Sequence, residues 1–212
     1  GAGVRGDLKA VIRAILLDTE ARRIPTAPGA GKLREPLQRF IQWGRTFGVT
    51  SPTGVWNVGD VSNPATRLGQ SPLRSPSVFN FFRPGYRPPQ SAIAAEGLVA
   101  PEAQIATETS ALGYANFVAT ILDSGWGEWN STTRHNDVQF DLSAWLSKSG
   151  APADLVDAIA RQLLGRPLDT ATRTAAIAAI DGMPQTTDAN KRQRVQAAVL
   201  LVAVSPAFMV QQ

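Results

Sequence analysis

His135 is the only histidine of the chain, set between Arg134 and Asp137. An imidazole oriented by a carboxylate can take a proton near neutral pH, which makes His135 the one candidate catalytic residue. A lone loop histidine beside Asn136 is more simply a surface residue, and that reading outweighs the first. Cysteine is absent, so disulfides, thiolate metal sites and cysteine nucleophiles are excluded. One histidine cannot build a multi-histidine metal centre, and no metal or cofactor is expected. Two carboxylate pairs are at hand. Glu102 and Glu108 stand six apart on one predicted helix and so point about 120° apart, while Asp154 and Asp157 oppose the dipole at the start of another.

The phosphate-binding motifs fail on their mechanics. Gly1-Ala-Gly-Val-Arg-Gly6 matches a dinucleotide fingerprint by letter, with no strand before it. In the run ending Gly29-Ala-Gly-Lys32, Thr26 stands where a phosphate loop has its first glycine and Leu33 where it has its magnesium-binding hydroxyl. Arg5-Gly6-Asp7 spells an adhesion tripeptide, but Asp7 is wanted as a helix N-cap. Asn130-Ser-Thr132 is a formal glycosylation sequon that nothing else supports. The most unusual string is Ser75-Pro-Ser-Val-Phe-Asn-Phe-Phe-Arg-Pro-Gly-Tyr86. Its aromatics with Asn80 and Arg83 suit a pocket wall for a sugar or carboxylate. Equally, Phe79 and Phe82 plug a loop into a helical core while Ser77 and Asn80 bond the backbone of a turn.

These residues need elements to hold them. Leu8, Val11, Ile12, Ile15 and Leu16 recur at helical spacing behind Asp7, predicting a helix over about 7–22. A second, over about 34–48, carries Leu37, Phe40, Ile41 and Phe47 on one face, with Arg39 and Arg45 elsewhere. From 50 to 101 prolines and glycines forbid continuous helix, yet Trp56, Val61, Leu68 and the Phe-rich string are too apolar for a solvated linker. A third helix is predicted from Pro101 to Ser124, with Ile105, Leu112, Phe117, Val118 and Ile121 buried, then a polar loop from Gly125 to Asp137. Helical patterns follow over 141–148, 152–164, 170–180 and 188–204. The fold expected is all-α: a helical pair in 1–48, a long ordered Pro/Gly/aromatic-rich loop in 49–100, and a multi-helix array in 101–212.

The chain has 212 residues, 43% hydrophobic and 18% charged, with a net charge of +4. That is enough to bury a core, and no apolar run is long enough to span a bilayer. Residues 1–90 hold 13 basic against 5 acidic residues, +8, leaving −4 for the rest; 17 of the 21 basic residues are arginine. Arginine suits planar, hydrogen-bonded contacts. The chain opens Gly1-Ala-Gly without Met or a signal segment and is read as a fragment or a processed chain.

Gly6-Asp-Leu-Lys-Ala-Val-Ile-Arg-Ala-Ile-Leu-Leu-Asp18, Lys32-Leu-Arg-Glu-Pro-Leu37, Gly69-Gln70 and the string Ser75 to Pro84 occur in that order. Gly97-Leu-Val-Ala-Pro-Glu102, Gln104-Ile105 and Val204-Ser-Pro-Ala-Phe208 follow. This ordered set resembles the C-terminal half of the bacterial domain-of-unknown-function family 1800, with Ala103 and Ala207 where relatives have Phe and Glu. The resemblance implies a largely helical, commonly exported protein, placed in the periplasm or cell envelope. It also implies a missing N-terminal half carrying a Trp- and His-containing motif, and no established activity.

Three functions are open. The leading one is a scaffold or binding part of a larger protein or assembly, its partner the missing N-terminal half or another subunit. Contacts are then expected around Arg13, Arg39, Phe82 and Arg83, because arginine and phenylalanine together are enriched in interface cores. The second is part of a hydrolase acting on envelope or extracellular polymers, in which Asn80, Arg83, Tyr86 and His135 complete a site begun upstream; whether the chain is an enzyme stays open. The third, a basic nucleic-acid module, ranks last because the arginines are scattered and no reader motif is present.

Overall fold

Asp7 turns its carboxylate onto the N–H of Ala10 at 3.0 Å and so starts α1 (Leu8–Leu17), and the single helix expected over 7–22 is broken at Asp18, whose backbone is not helical. The computed structural model describes residues 3–22, 31–131 and 135–211, in two compact units: Gly1–Lys32 with Gln212, and Leu33–Gln211. The first unit holds α1 and α2 (Thr19–Arg22). Residues 29 and 30 of the phosphate-loop-like run and Thr132 of the sequon lie outside the described residues. The fold is mostly helical with only small sheets, and among the described residues no helix is long and apolar enough to cross a membrane.

Strand β1 (Lys32–Leu33) leads into the second unit, and the Arg34 N–H donates to the Met209 carbonyl at 2.8 Å, tying that unit's first residues to its last. Helix α3 (Pro36–Thr46) opens with Pro36 in its first turn and a reciprocal cap between Glu35 and Gln38. It buries Pro36, Arg39, Phe40 and Trp43. That corrects the expected face: Arg39 belongs to the buried stripe, and Ile41 is exposed. Residues three and four apart share a helix face, so Arg39 goes where Pro36 and Trp43 go.

The helix expected from Pro101 breaks. A 3₁₀ turn (Pro101–Ile105) is followed by α5 (Glu108–Ser124), because Thr107 and Ser110 form a capping box that restarts the backbone. Leu112 consequently faces solvent, whereas Tyr114, Phe117, Val118 and Ile121 are buried. Gly125, at φ +70°, ends α5, and a side chain there would collide with the Val138 carbonyl 2.4 Å away.

The segment read as a polar loop is instead an antiparallel hairpin, β2 (Trp126–Asn130) and β3 (His135–Val138), pairing Trp126 with Val138 and Asn130 with His135 around an irregularity between Trp126 and Trp129. Its Trp126 ring meets Phe40 edge to face at 4.3 Å, while Trp43 stacks on Phe140 at 4.6 Å. These aromatics fuse α3, α5 and the hairpin into one core.

Helices α7 (Pro152–Leu164), α8 (Thr170–Asp181) and α9 (Asp188–Ala203) follow the predicted pattern closely, while α6 (Ser143–Leu146) covers only the middle of the pattern at 141–148. Local signals fix them: Pro152 in a first turn, and caps from Asp169 and Thr187. Helix α9 is central, packing on α5, α6, α7 and α8. The short α10 (Pro206–Met209), not anticipated, is capped by Ser205 and buries Phe208 before β4 (Val210–Gln211).

Between α3 and the 3₁₀ turn, α4 (Ala92–Ala95) is the one helix among the described residues. The stretch 61–71 is clamped on the core through Val61, Leu68, Gln70 and Ser71, all buried. Gln70 accepts from the Leu37 N–H at 3.2 Å and donates to Glu35.

Candidate functional site

The sequence-predicted residues separate into three places. Arg13 is exposed on α1, in a shallow patch with Ala10, Ala14 and Leu17. Asn80, Phe82, Arg83 and Tyr86 lie on successive turns. The Asn80 N–H donates to the Ser77 carbonyl and the Phe79 N–H to Ser77 Oγ, both at 3.2 Å, with Asn80 at φ +67°. The Arg83 N–H donates to Gln104 Oε1 at 2.8 Å, and the Tyr86 carbonyl accepts from the Ala100 N–H at 2.9 Å. The plug expectation fails at Phe79. Its turn closes on itself between Ser77 and Asn80 and leaves that ring 63% exposed at the tip, while Phe82 is half-buried. Among the described residues the side chains of Asn80, Arg83 and Tyr86 make no hydrogen bond or ion pair. They offer contact area and free donors. His135 opens β3 opposite Asn130; its side chain lies outside the described part of the structure. No group of three His, Asp or Glu is placed to hold a metal ion among the described residues.

Arg39, the third place, is interior. Its guanidinium lies 4.1 Å over the Tyr114 ring. Burial, opposed by the Arg39 charge, pushes the Tyr114 phenol up to about 12, and its hydroxyl lies 3.3 Å from the Ala203 carbonyl. Burial likewise lowers the Arg39 guanidinium from its ordinary value.

The feature that sequence reading missed is the amount of apolar surface left open. On α1 Leu8, Val11, Ile12, Ile15 and Leu16 form one stripe, and every one is at least half exposed; the helix buries nothing. In the second unit Leu73 and Val78 are almost wholly exposed, and Phe79, Leu98 and Val99 more than half. A groove of about 490 Å³ adds to this, walled by Phe40, Ile41, Val49, Trp56, Val58 and Trp126. Trp56 stands half exposed at φ +51°, and Trp126 Nε1 holds the groove's rim by donating to the Val58 carbonyl at 2.8 Å. The groove is apolar and solvent-facing, suited to an aliphatic or aromatic group. The stripe on α1 was legible as periodicity; its lack of cover was not.

A sequence model of the family described as "Protein of unknown function (DUF1800)" matches residues 2–210. The chain belongs to the DUF1800 family. That match bears out the resemblance carried by the ordered motifs from Gly6 to Phe208, and it supplies no activity. No curated protein and no solved structure matches this DUF1800 chain.

Proposed function

We propose that this DUF1800 chain is a helical scaffold whose apolar surface docks against protein, in an exported bacterial protein or assembly. The observation that carries the reading is α1: an amphipathic helix whose whole apolar stripe is open to solvent. Soluble proteins seldom leave large contiguous apolar patches uncovered, and those that do use them for contacts. The open residues 73–99 and the Trp56 groove belong to the same kind of surface, and on this reading the Pro/Gly/aromatic stretch 49–100 is ordered within that assembly. The family resemblance supports export, to the periplasm or envelope. The partner is a polypeptide surface, either an N-terminal half of the same protein or a second subunit.

Backbone hydrogen exchange tests this on the protein isolated from its source, compared with the 212-residue chain alone. Amides of α1 and of 73–99 should be protected in the natural protein and exchange fast in the chain alone, and Ile12→Asp with Leu16→Asp should remove the protection. Equally fast exchange in both samples overturns the reading.

A further inference from the structure

Ile41, Trp56 and Val58, 45%, 51% and 39% exposed, converge on one groove of the second unit whose floor is the core residues Phe40, Trp126 and Val138. Backbone groups at its edge are already paired. The Val58 carbonyl takes the Trp126 indole N–H at 2.8 Å, and the Val49 N–H donates to the Gly44 carbonyl at 3.3 Å. Trp56 sits at φ +51°, a region that bulky residues rarely adopt, and among the described residues its ring meets no other ring. A strained aromatic at a cavity wall is a pattern of ligand sites. Arg45 is the one charged residue that lines the groove. It is exposed, and among the described residues it makes no ion pair and no side-chain hydrogen bond.

We propose that this groove binds the alkyl chain of a fatty-acid carboxylate, with the carboxylate on Arg45. Beyond the docking of protein on α1, this gives the chain a lipid site, and it rests on the groove alone, so either reading survives the failure of the other. The space is about 490 Å³, roughly three times the volume of an engineered cavity that admits benzene. A single side chain of a partner leaves most of it unfilled, whereas a flexible alkyl chain several carbons long occupies it and removes apolar wall from water. An apolar lining with one unpaired cation and no acidic residue is complementary to an amphiphile with one anionic head. The guanidinium fork takes both oxygens of a carboxylate. A cationic amphiphile is repelled by Arg45, and a sugar would strand its hydroxyls against the apolar walls.

Sodium decanoate, titrated below its micelle concentration into the full chain against sodium chloride at matched ionic strength, is followed by NMR at the Ile41 and Val58 methyls and the Trp56 indole N–H. Saturable shifts of all three are expected, with affinity rising about threefold for each methylene added from hexanoate to decanoate. Arg45→Gln should weaken decanoate by about threefold to fivefold, the worth of an exposed ion pair, and leave decanol binding unchanged. Ile41→Glu sets an anion on the groove wall and should abolish decanoate binding; if that variant fails to fold, Arg45→Gln decides alone. Shifts no larger than in chloride, shifts confined to α1, an affinity that does not rise with chain length, or unchanged decanoate affinity in Arg45→Gln overturns the proposal. If decanoate gives no saturable shift while amide exchange at Val58 is slowed in the protein isolated from its source, a partner's side chain fills the groove and the proposal falls.

Discussion

Asp137 joins the hairpin to the segment that leaves α3. Its carboxylate accepts the hydroxyl of Ser51 and, at 3.1 Å, the N–H of Thr53. The Ser51 hydrogen bond, foremost, holds its carboxyl below the ordinary carboxylate range. A carboxyl depressed in the folded state contributes stability that is full above its unfolded value and is lost as pH falls through the folded one. Asp137→Asn should therefore melt lower than the parent at pH 7, and the gap should start to narrow as pH drops below about 4 and go on narrowing with further acid. Paired melting curves from pH 7 down to pH 3 check this, and a gap as wide at pH 3 as at pH 7 counts against it. The two buried arginines make the complementary case. Arg194, 2% exposed, is satisfied, with Nε on the Ser149 carbonyl at 2.8 Å and Nη1 on that of Met183. There the guanidinium acts as a clasp between the turns after α6 and α8. Arg39 has no such carbonyl acceptors at Nε and Nη1, and its guanidinium is held instead over the Tyr114 ring.

At the scale of an element, Gly113 sets how closely the segment 61–71 can lie on α5. Glycine inside a helix ordinarily costs about 1 kcal/mol relative to alanine, so Gly113→Ala would stabilise a free helix. Here an added Cβ would stand 2.1 Å from the Pro64 carbonyl oxygen and 2.8 Å from the Ala65 carbonyl carbon, both backbone atoms. Overpacking of that kind costs about 1–3 kcal/mol and reverses the sign. Chemical denaturation of Gly113→Ala should show a loss of that size, and a gain would show that 61–71 gives way easily. The same element shows what a sequence discloses. Helices α7, α8 and α9 were legible nearly to the residue because Pro152, Asp169 and Thr187 act on their own next turn. The restart of α5 at Thr107 used an equally local signal that the apolar count overrode. The hairpin was not legible: Trp126-Gly-Glu-Trp-Asn130 does not alternate, and its register depends on Val138 and the Phe40 ring, remote from it in sequence. Arg39 is similar. Its spacing from Pro36 and Trp43 placed it on the buried stripe, but only the partner Tyr114, far along the chain, lets an arginine stay there.

Across the whole molecule, burial and exposure are divided between the two units. Among the described residues every buried hydrophobic residue of the core lies between Phe40 and Phe208, and α1 contributes none. The second unit also ties its own ends through the Arg34 to Met209 hydrogen bond. Helix α1 therefore presents apolar surface without buried residues of its own, the arrangement expected of a helix that serves a partner. A chain beginning at Lys32 should keep its cooperative melting transition within about 3 °C of the parent, since the contacts that set stability are untouched. Its binding of a hydrophobic dye should fall, because the exposed stripe from Leu8 to Leu16 is gone. Calorimetry and dye fluorescence on the same two samples separate the outcomes. If the shortened chain unfolds, α1 is part of the core and its exposed face is not a docking surface. If it stays folded with undiminished dye binding, the open surface resides in 73–99 and the Trp56 groove, and the partner contact moves to the second unit.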